Sequence, residues 1–387
     1  MPLKLAIIFI LILTLYGCSS TKKIAGENYL LEKNIIFKNQ QDVSNDQIKF
    51  LIVDQPNKKF LGIPLKRNIY TMAGSNPDSI FNNWLYRRDK RKKRLDKLLS
   101  PKQVGELKRY KSGFNNWLKE SGEAPVFLDS ISTQKSINRL KQFYKNQGYF
   151  DTEVKSKNIL NINRNATVQY FIETGNQYTI DSLSKKISSH ALDSLYQLSL
   201  DQGLIKKGYP FEINRFEAER ARIINFFRNN GVYNFQQNSI QFTAAIDSSG
   251  VDTKIPVVVD ITNLQKREND TLINVPYQIH PVSKINIYMD NPGQLGQSSS
   301  YTDSLTHNDF TIYFKGKLKY KPKALEEVIF IQKDKPYSDL ERTQTYRYIS
   351  NLRNFKYPSI TYSPININQL DLVANIFLNP KERFSMG

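Results

Sequence analysis

The sequence predicts an α+β fold of tandem modules, each running strand, helix, helix, strand, strand, with a three-stranded mixed sheet covered by two helices. Three observations predict it. First, one supersecondary unit recurs. The stretch INRLKQFYKNQGYFDTEV at 137–154 carries an apolar helix face (Ile137, Leu140, Phe143, Tyr144), stops at Gly148, and passes through Tyr149 and Phe150 into a strand. It returns as IINFFRNNGVYNF at 223–235 and more loosely as ISNLRNFKYPSI at 349–360. Second, each unit is preceded by a strand pattern rich in β-branched and aromatic residues and followed by one able to close a hairpin. Third, 387 residues with 40% hydrophobic and 12% aromatic content suffice for several small cores.

The chain opens with Lys4, an apolar run at 5–15, and Gly17 directly before Cys18, the single cysteine. The run is too short to span a bilayer. Leu15-Tyr16-Gly17-Cys18 looks like a bacterial lipobox, so 1–17 reads as a lipoprotein signal peptide, Cys18 as the lipidation site and 18–28 as a lipidated tether. An ordinary signal peptide followed by a free cysteine is the alternative.

The first module spans 29–175. Its first strand is 29–38 (YLLEKNIIFK), and Ser44 to Gln47 cap a short helix bearing Ile48, Leu51 and Ile52. Pro56, Gly62 and Pro64 end that helix. A helical insertion follows at about 58–128, with the string FNNWL at 81–85 and again at 114–118. Between them RRDKRKKRLDK, at 87–97, is too poor in apolar residues for a buried helix and reads as an exposed extension. Its cations (Arg87, Arg88, Lys90, Arg91, Lys92, Lys93, Arg94, Lys97) form either a solvated face or a basic patch for lipid phosphates or a partner. The strand at 150–157 and its hairpin partner at 166–173 complete the module.

The second module, 176–264, has a strand at 178–187, a helix at 190–200, a break at Lys207-Gly208-Tyr209-Pro210, a helix ending at Gly231, and strands at 233–246 and 255–261. The third, 275–380, has a strand at 285–290, a Gly/Ser/Asn-rich loop at 291–308, a segment at 311–319, a helix opened by Pro322, a helix capped by Ser338, and strands at 357–362 and 370–378.

Residues for chemistry are scarce. His190, His280 and His307 are far apart and lack metal-ligand spacing, no Gly-rich phosphate loop or GxSxG elbow occurs, and Glu326-Glu327 reads as a solvated helix surface. The expectation is therefore no enzyme, no cofactor and no metal. A net charge of +19 points to anionic surroundings or to a diffuse solvated surface, and the export signal disfavours nucleic acid.

The modules resemble POTRA domains. YLLEKN at 29–34, QPNKKFLGIPLKRNIY at 55–70, GEAPVFLD at 122–129 and the LKQFYKNQGYF join resemble TamL, the lipoprotein members of the BamA/TamA outer-membrane assembly superfamily of Bacteroidetes-type bacteria. That family carries a C-terminal transmembrane β-barrel, whereas this sequence stops at RFSMG, so a chain lacking its barrel is expected. The resemblance implies a periplasmic arm, lipid-anchored at the outer membrane, that binds unfolded outer-membrane protein clients by β-augmentation. It also implies a TamB-like inner-membrane partner, and the departure from the family's pattern makes a separately encoded β-barrel a candidate partner. The family pattern makes the second strand of each module the open edge, hence Phe150, Thr152 and Val154, then Tyr233, Phe235 and Phe242, then Tyr357 and Ile360. A solvent-capped edge competes for any single strand, and a lipoprotein adaptor for an anionic envelope polymer or lipid competes for the whole chain.

Overall fold

Mixed sheets backed by helices make up the chain in a computed structural model that describes residues 28–43, 46–73, 77–86, 93, 97–246, 252–268, 270–289, 301–366 and 370–381. The proposed signal peptide, Cys18, Arg87, Arg88, Lys90, Arg91, Lys92 and Arg94 lie outside the described residues. The fold is α+β, and it divides between Asn176 and Gln177 into two units.

The first unit contains β1 (Leu30–Lys38), β2 (Gln41–Asp42), α1 (Asp46–Lys49), α2 (Leu65–Met72), α3 (Pro77–Tyr86), α4 (Pro101–Ser121), α5 (Ser130–Asn146), β3 (Glu153–Leu160) and β4 (Asn165–Glu173). Its sheet runs β2-β1-β4-β3, with β1 parallel and β3 antiparallel to β4. Alternation decides the faces: Ala166, Val168, Tyr170 and Ile172 are buried, while Phe171 stacks on Phe37 on the opposite side with ring centroids 5.2 Å apart. Leu140 and Tyr144 of α5 fill the core under the buried row. The helix after the first strand is only four residues long, so Ile48 and Ile52 reach the core from one turn and the segment behind it.

Both ends of α5 follow from its sequence. Its N-cap, Asp129, accepts the N–H groups of Ile131 and Ser132 at 3.2 and 2.9 Å, and Gly148 stops it with a φ of +87°. Those two hydrogen bonds, Ser132 first, hold the Asp129 carboxyl below its usual pKa. A depressed folded-state value means that the stabilisation is present above the unfolded carboxylate pKa and is lost as pH falls through the folded one. Acid titration of an Asp129→Asn variant, followed by the amide exchange of α5, is expected to lack this loss because Asn caps without titrating.

The second unit opens with β5 (Thr179–Ile187), α6 (His190–Leu198), α7 (Ile213–Asn229), β6 (Ile240–Ala244) and β7 (Lys254–Ile261), in a sheet ordered β5-β7-β6. Leu192, Tyr196, Ile223, Phe227, Val259 and Ile261 form its core. A separate hairpin, β8 (Leu264–Glu268) and β9 (Thr271–Val275), occupies a stretch to which the sequence pattern assigned no element. Then come β10 (Pro281–Met289), β11 (Asp303–His307), β12 (Phe310–Phe314), α8 (Pro322–Glu326), β13 (Lys335–Pro336), α9 (Asp339–Asn351), β14 (Phe355–Pro364) and β15 (Leu372–Pro380). The last sheet is ordered β11-β12-β10-β15-β14, and β13 pairs with β10. In each of the three main sheets the first strand is parallel and the second antiparallel to the last (β1 and β3 to β4, β5 and β6 to β7, β10 and β14 to β15), with α2–α4, β2, β11, β12 and β13 added to the β-α-α-β-β order.

Three boundaries move. The strand expected at 150–157 begins at Glu153, because Thr152 is 1% exposed and its hydroxyl donates to Tyr149 O. The strand expected at 233–246 shrinks to Ile240–Ala244, since Phe235 turns into the core against Phe227 and Tyr277. The expected loop at 291–308 contains β11, which pairs antiparallel with β12.

Candidate functional site: the open strand edges

A sheet edge binds through main-chain groups, so the first question is which edges the fold leaves free. Local chain bonds the outer side of β1 and of β10, but at β5 it reaches only Thr179 and Ile180, and β5 terminates its sheet. Leu31 N–H donates to Val126 O and Leu128 N–H to Tyr29 O, both at 2.8 Å, while β2 covers the far end of β1. At the start of β5, Ile180 N–H donates to Tyr209 O at 2.9 Å and Gly208 N–H returns to Ile180 O at 2.7 Å. β10 is closed by β13 and β12, which moves that edge outward to β11. The second strand of each module, β3, β6 or β14, pairs on one side only and terminates its sheet.

The ladder phase fixes which amides face outward. Asn161 N–H donates to Asn165 O at 2.8 Å, so counting back along the β3–β4 register, Leu160, Asn158, Ser156 and Val154 turn N–H and C=O away from β4. Thr262 N–H donates to Ser239 O at 3.0 Å, which sets Ile240, Phe242 and Ala244 outward on β6. Ile365 N–H donates to Asp371 O at 3.0 Å and sets Pro364, Tyr362 and Ile360 outward on β14. Pro364 has no N–H to offer, and the register breaks between Lys356 and Ser359. β3 is consequently the longest regular open edge.

Side chains sharpen that ranking. Val154 leans on the core, while residues 155–160 are exposed, ending in the apolar pair Ile159 and Leu160 beside the fully exposed Ile162. Lys155 donates to Glu153 at 2.9 Å, and this bond, ahead of the lysine's charge, depresses the Glu153 carboxyl pKa. Lys155 and Lys157 guard the edge against indiscriminate pairing while leaving its backbone accessible. On β6, Phe242 packs on Phe216 and Arg220 stacks over its ring.

Of the residues singled out from the sequence, Val154, Phe242 and Ile360 lie on open edges with outward backbone. Phe150 is in the turn before β3, Thr152 is buried there, and Phe235 is a core residue. Tyr357 is in β14 but sits in its bulge at φ +47° and is 92% exposed. Of the basic run only Lys93 and Lys97 are described, both exposed.

Tyr233 has a different place. It packs edge-on against His280, with ring centroids 4.8 Å apart, and near Tyr337 at 6.1 Å, where the second and third modules meet. Gly231 N–H donates to Tyr337 O and His280 N–H to Gly231 O, each at 2.9 Å, and Leu340 N–H donates to Asn229 Oδ1 at 2.9 Å. His280 Nδ1 hydrogen-bonds Leu370 O at 2.7 Å, and burial outweighs that bond to push the imidazole pKa down. The ring of Tyr337 meets that of Tyr362 at 4.8 Å, and burial raises the pKa of both phenols. The open edge of β14 is thus tied to the junction through Tyr362. Glu326 is exposed at the end of α8, as the sequence suggests, and accepts from His307 at 3.1 Å and from Asn308 at 2.8 Å.

Among the described residues no cluster of His, Cys, Asp and Glu could hold a metal, and no helix is long and apolar enough to cross a membrane. No protein-family model and no curated protein sequence matches the chain. Solved structures similar to it include POTRA domains 3–5 of BamA from Haemophilus influenzae, at 11% identity and a TM-score of 0.31, covering 65% of this chain and 82% of that one. The N-terminal domain of Omp85 from Thermosynechococcus elongatus is similar at 11% identity and 0.23, covering 68% and 88%. POTRA domains 1–3 of Omp85 from Anabaena are similar at 6% identity and 0.25, covering 92% and 97%. Scores of this size do not assign a family.

Proposed function

We propose that the chain is a periplasmic POTRA-type arm of an outer-membrane assembly factor, and that it binds extended client or partner strands by β-augmentation, first on β3. The observation carrying the proposal is that the second strand of each module pairs on one side only, β3 presenting four outward residues in unbroken register. Main-chain pairing suits a binder of many clients, because every client offers the same N–H and C=O groups. The TamL-like wording at 29–34, 55–70 and 122–129 supports the narrower reading of a lipoprotein acylated at Cys18, with a TamB-like partner.

Hydrogen exchange of the full chain, with and without an unfolded outer-membrane protein segment, tests the reading. The outward amides of Val154, Ser156, Asn158 and Leu160 are expected to gain protection in alternation, while the inward amides of Lys155 and Lys157, already bonded to β4, change little. Bonds of this kind are only weakly screened, so the protection persists in high salt. Uniform protection of surface lysine segments that vanishes with salt would instead favour the polyanion adaptor.

A further inference from the structure

The third module holds a feature that edge binding does not use. After β12 the chain reads KGKLKYKPK at 315–323, with a lysine at every second position. Leu318 and Tyr320 turn inward against the core and leave Lys317, Lys319 and Lys321 exposed. The topology adds cations from two other places. β12, β10 and β15 are parallel and end on the same side of their sheet, and β14, antiparallel to β15, starts there. The chain before β14 and after β15 therefore meets the lysine segment, and Lys315, Lys317, Lys319, Arg353 and Lys381 line one cleft of about 1060 Å³. No carboxylate lines that cleft among the described residues.

The backbone under these side chains is fixed. Lys381 N–H donates to Asn354 O at 2.8 Å, and the Tyr320 ring packs on the buried Phe355 with centroids 4.9 Å apart. The acids nearby are engaged: Asp303 accepts from Gly316 N–H at 3.3 Å and from the Thr302 hydroxyl at 2.7 Å, and Glu326 holds His307 and Asn308. Five like charges converging on one cleft repel one another, and an anion of several charges relieves that repulsion. Four of the five are lysines, whose ammonium groups meet phosphate as rotatable point charges and lack the fork that matches a planar carboxylate. One phosphate carries about two charges at most, and the cleft is as large as those that hold a whole small-molecule ligand, about 300–1,000 Å³. We infer that this cleft binds a group carrying two or more phosphates, soluble or borne by a lipid, with Lys317, Arg353 and Lys381 on its phosphate oxygens. This goes beyond the edge-strand reading and does not depend on it.

Calorimetric titration of the full chain with inorganic tripolyphosphate is expected to show one saturable site. Lys317→Gln and Arg353→Gln should each weaken it about fivefold, and the double variant about 25-fold, the loss expected for each cation removed from beside concentrated anionic charge. Both side chains are exposed, so melting midpoints should stay unchanged. Lys333→Gln is the control. It removes the same charge from an exposed position beside β13, which pairs with the start of β10 at the far end of the sheet, and should leave the affinity unaltered. An equal loss in Lys333→Gln would mean diffuse attraction to net charge and would overturn the cleft. Tighter binding of a hexaglutamate peptide than of tripolyphosphate would overturn the choice of phosphate. Flotation with phosphatidylcholine vesicles containing diphosphoryl lipid A, lost in the double variant, would make a lipid headgroup the source. Tripolyphosphate binding without flotation would make the source soluble, and failure of both overturns the inference. Each of these results leaves the hydrogen-exchange test of β3 untouched.

Discussion

Replacing Asn158 by proline is expected to weaken binding of an extended client segment by roughly 10- to 100-fold while leaving the first module folded. Asn158 pairs with Val168 at a position whose own N–H faces away from β4, so proline removes no ladder bond there. It removes one outward donor and sets its ring where a client strand must lie. One lost main-chain bond is worth about 0.5–1.5 kcal/mol, and interrupting a four-residue edge at its middle costs the bonds beyond it as well. Lys157→Pro is the control. Its N–H faces β4, so the variant is expected to lower the unfolding midpoint of the first module as well as client binding. Anisotropy of a labelled client segment and circular dichroism of both variants separate the outcomes. Equal client affinity in wild type and Asn158→Pro would remove β3 from the mechanism.

The same phase argument shows what the sequence could and could not tell. Period-two alternation in 166–173 and period-3.6 recurrence in 137–144 expose the buried faces of β4 and α5 directly, because burial leaves its mark on residue type. Edge status leaves no such mark. Whether β1 is free depends on Val126 and Leu128 returning from the far end of an insertion, a separation no local pattern records. Tyr233 and Phe235 mislead for a related reason. An aromatic pair after a glycine stop reads as a strand, yet Phe235 completes a core and Tyr233 fills a junction between modules, and both uses demand the same apolar rings. The hairpin β8–β9 was illegible for the opposite reason: LQKRE and TLINV pair with each other and bury almost nothing. The glycine–asparagine bias of 291–308 hid β11 in turn, because its DSLTH is mostly polar and exposed and pairs with no strand but β12 among the described residues.

Gly231→Ala is expected to destabilise the second unit by about 3 kcal/mol, the sum of one strained backbone position and one steric overlap. Gly231 has φ +101°, a region that costs any other L-residue strain, and a Cβ built there lies 2.5 Å from Ile279 Cγ2 and 3.3 Å from Pro336 Cβ. Its N–H and C=O are committed to Tyr337 and His280, so the backbone cannot turn away without breaking both bonds between the modules. For a unit of this size the melting midpoint should fall by roughly 10 °C. Gly231→Ala with Ile279→Ala removes the overlap but keeps the strained φ, and is expected to recover part of the loss. Full recovery would mean that the overlap alone mattered, and no loss in the single variant would mean that the junction yields. The functional consequence follows from Tyr337, which joins Gly231 to Tyr362 on the open edge of β14. A loosened junction should therefore raise amide exchange at Thr361 and Ser363, whose N–H groups face β15 on either side of Tyr362, while leaving β3, in the other unit, unchanged.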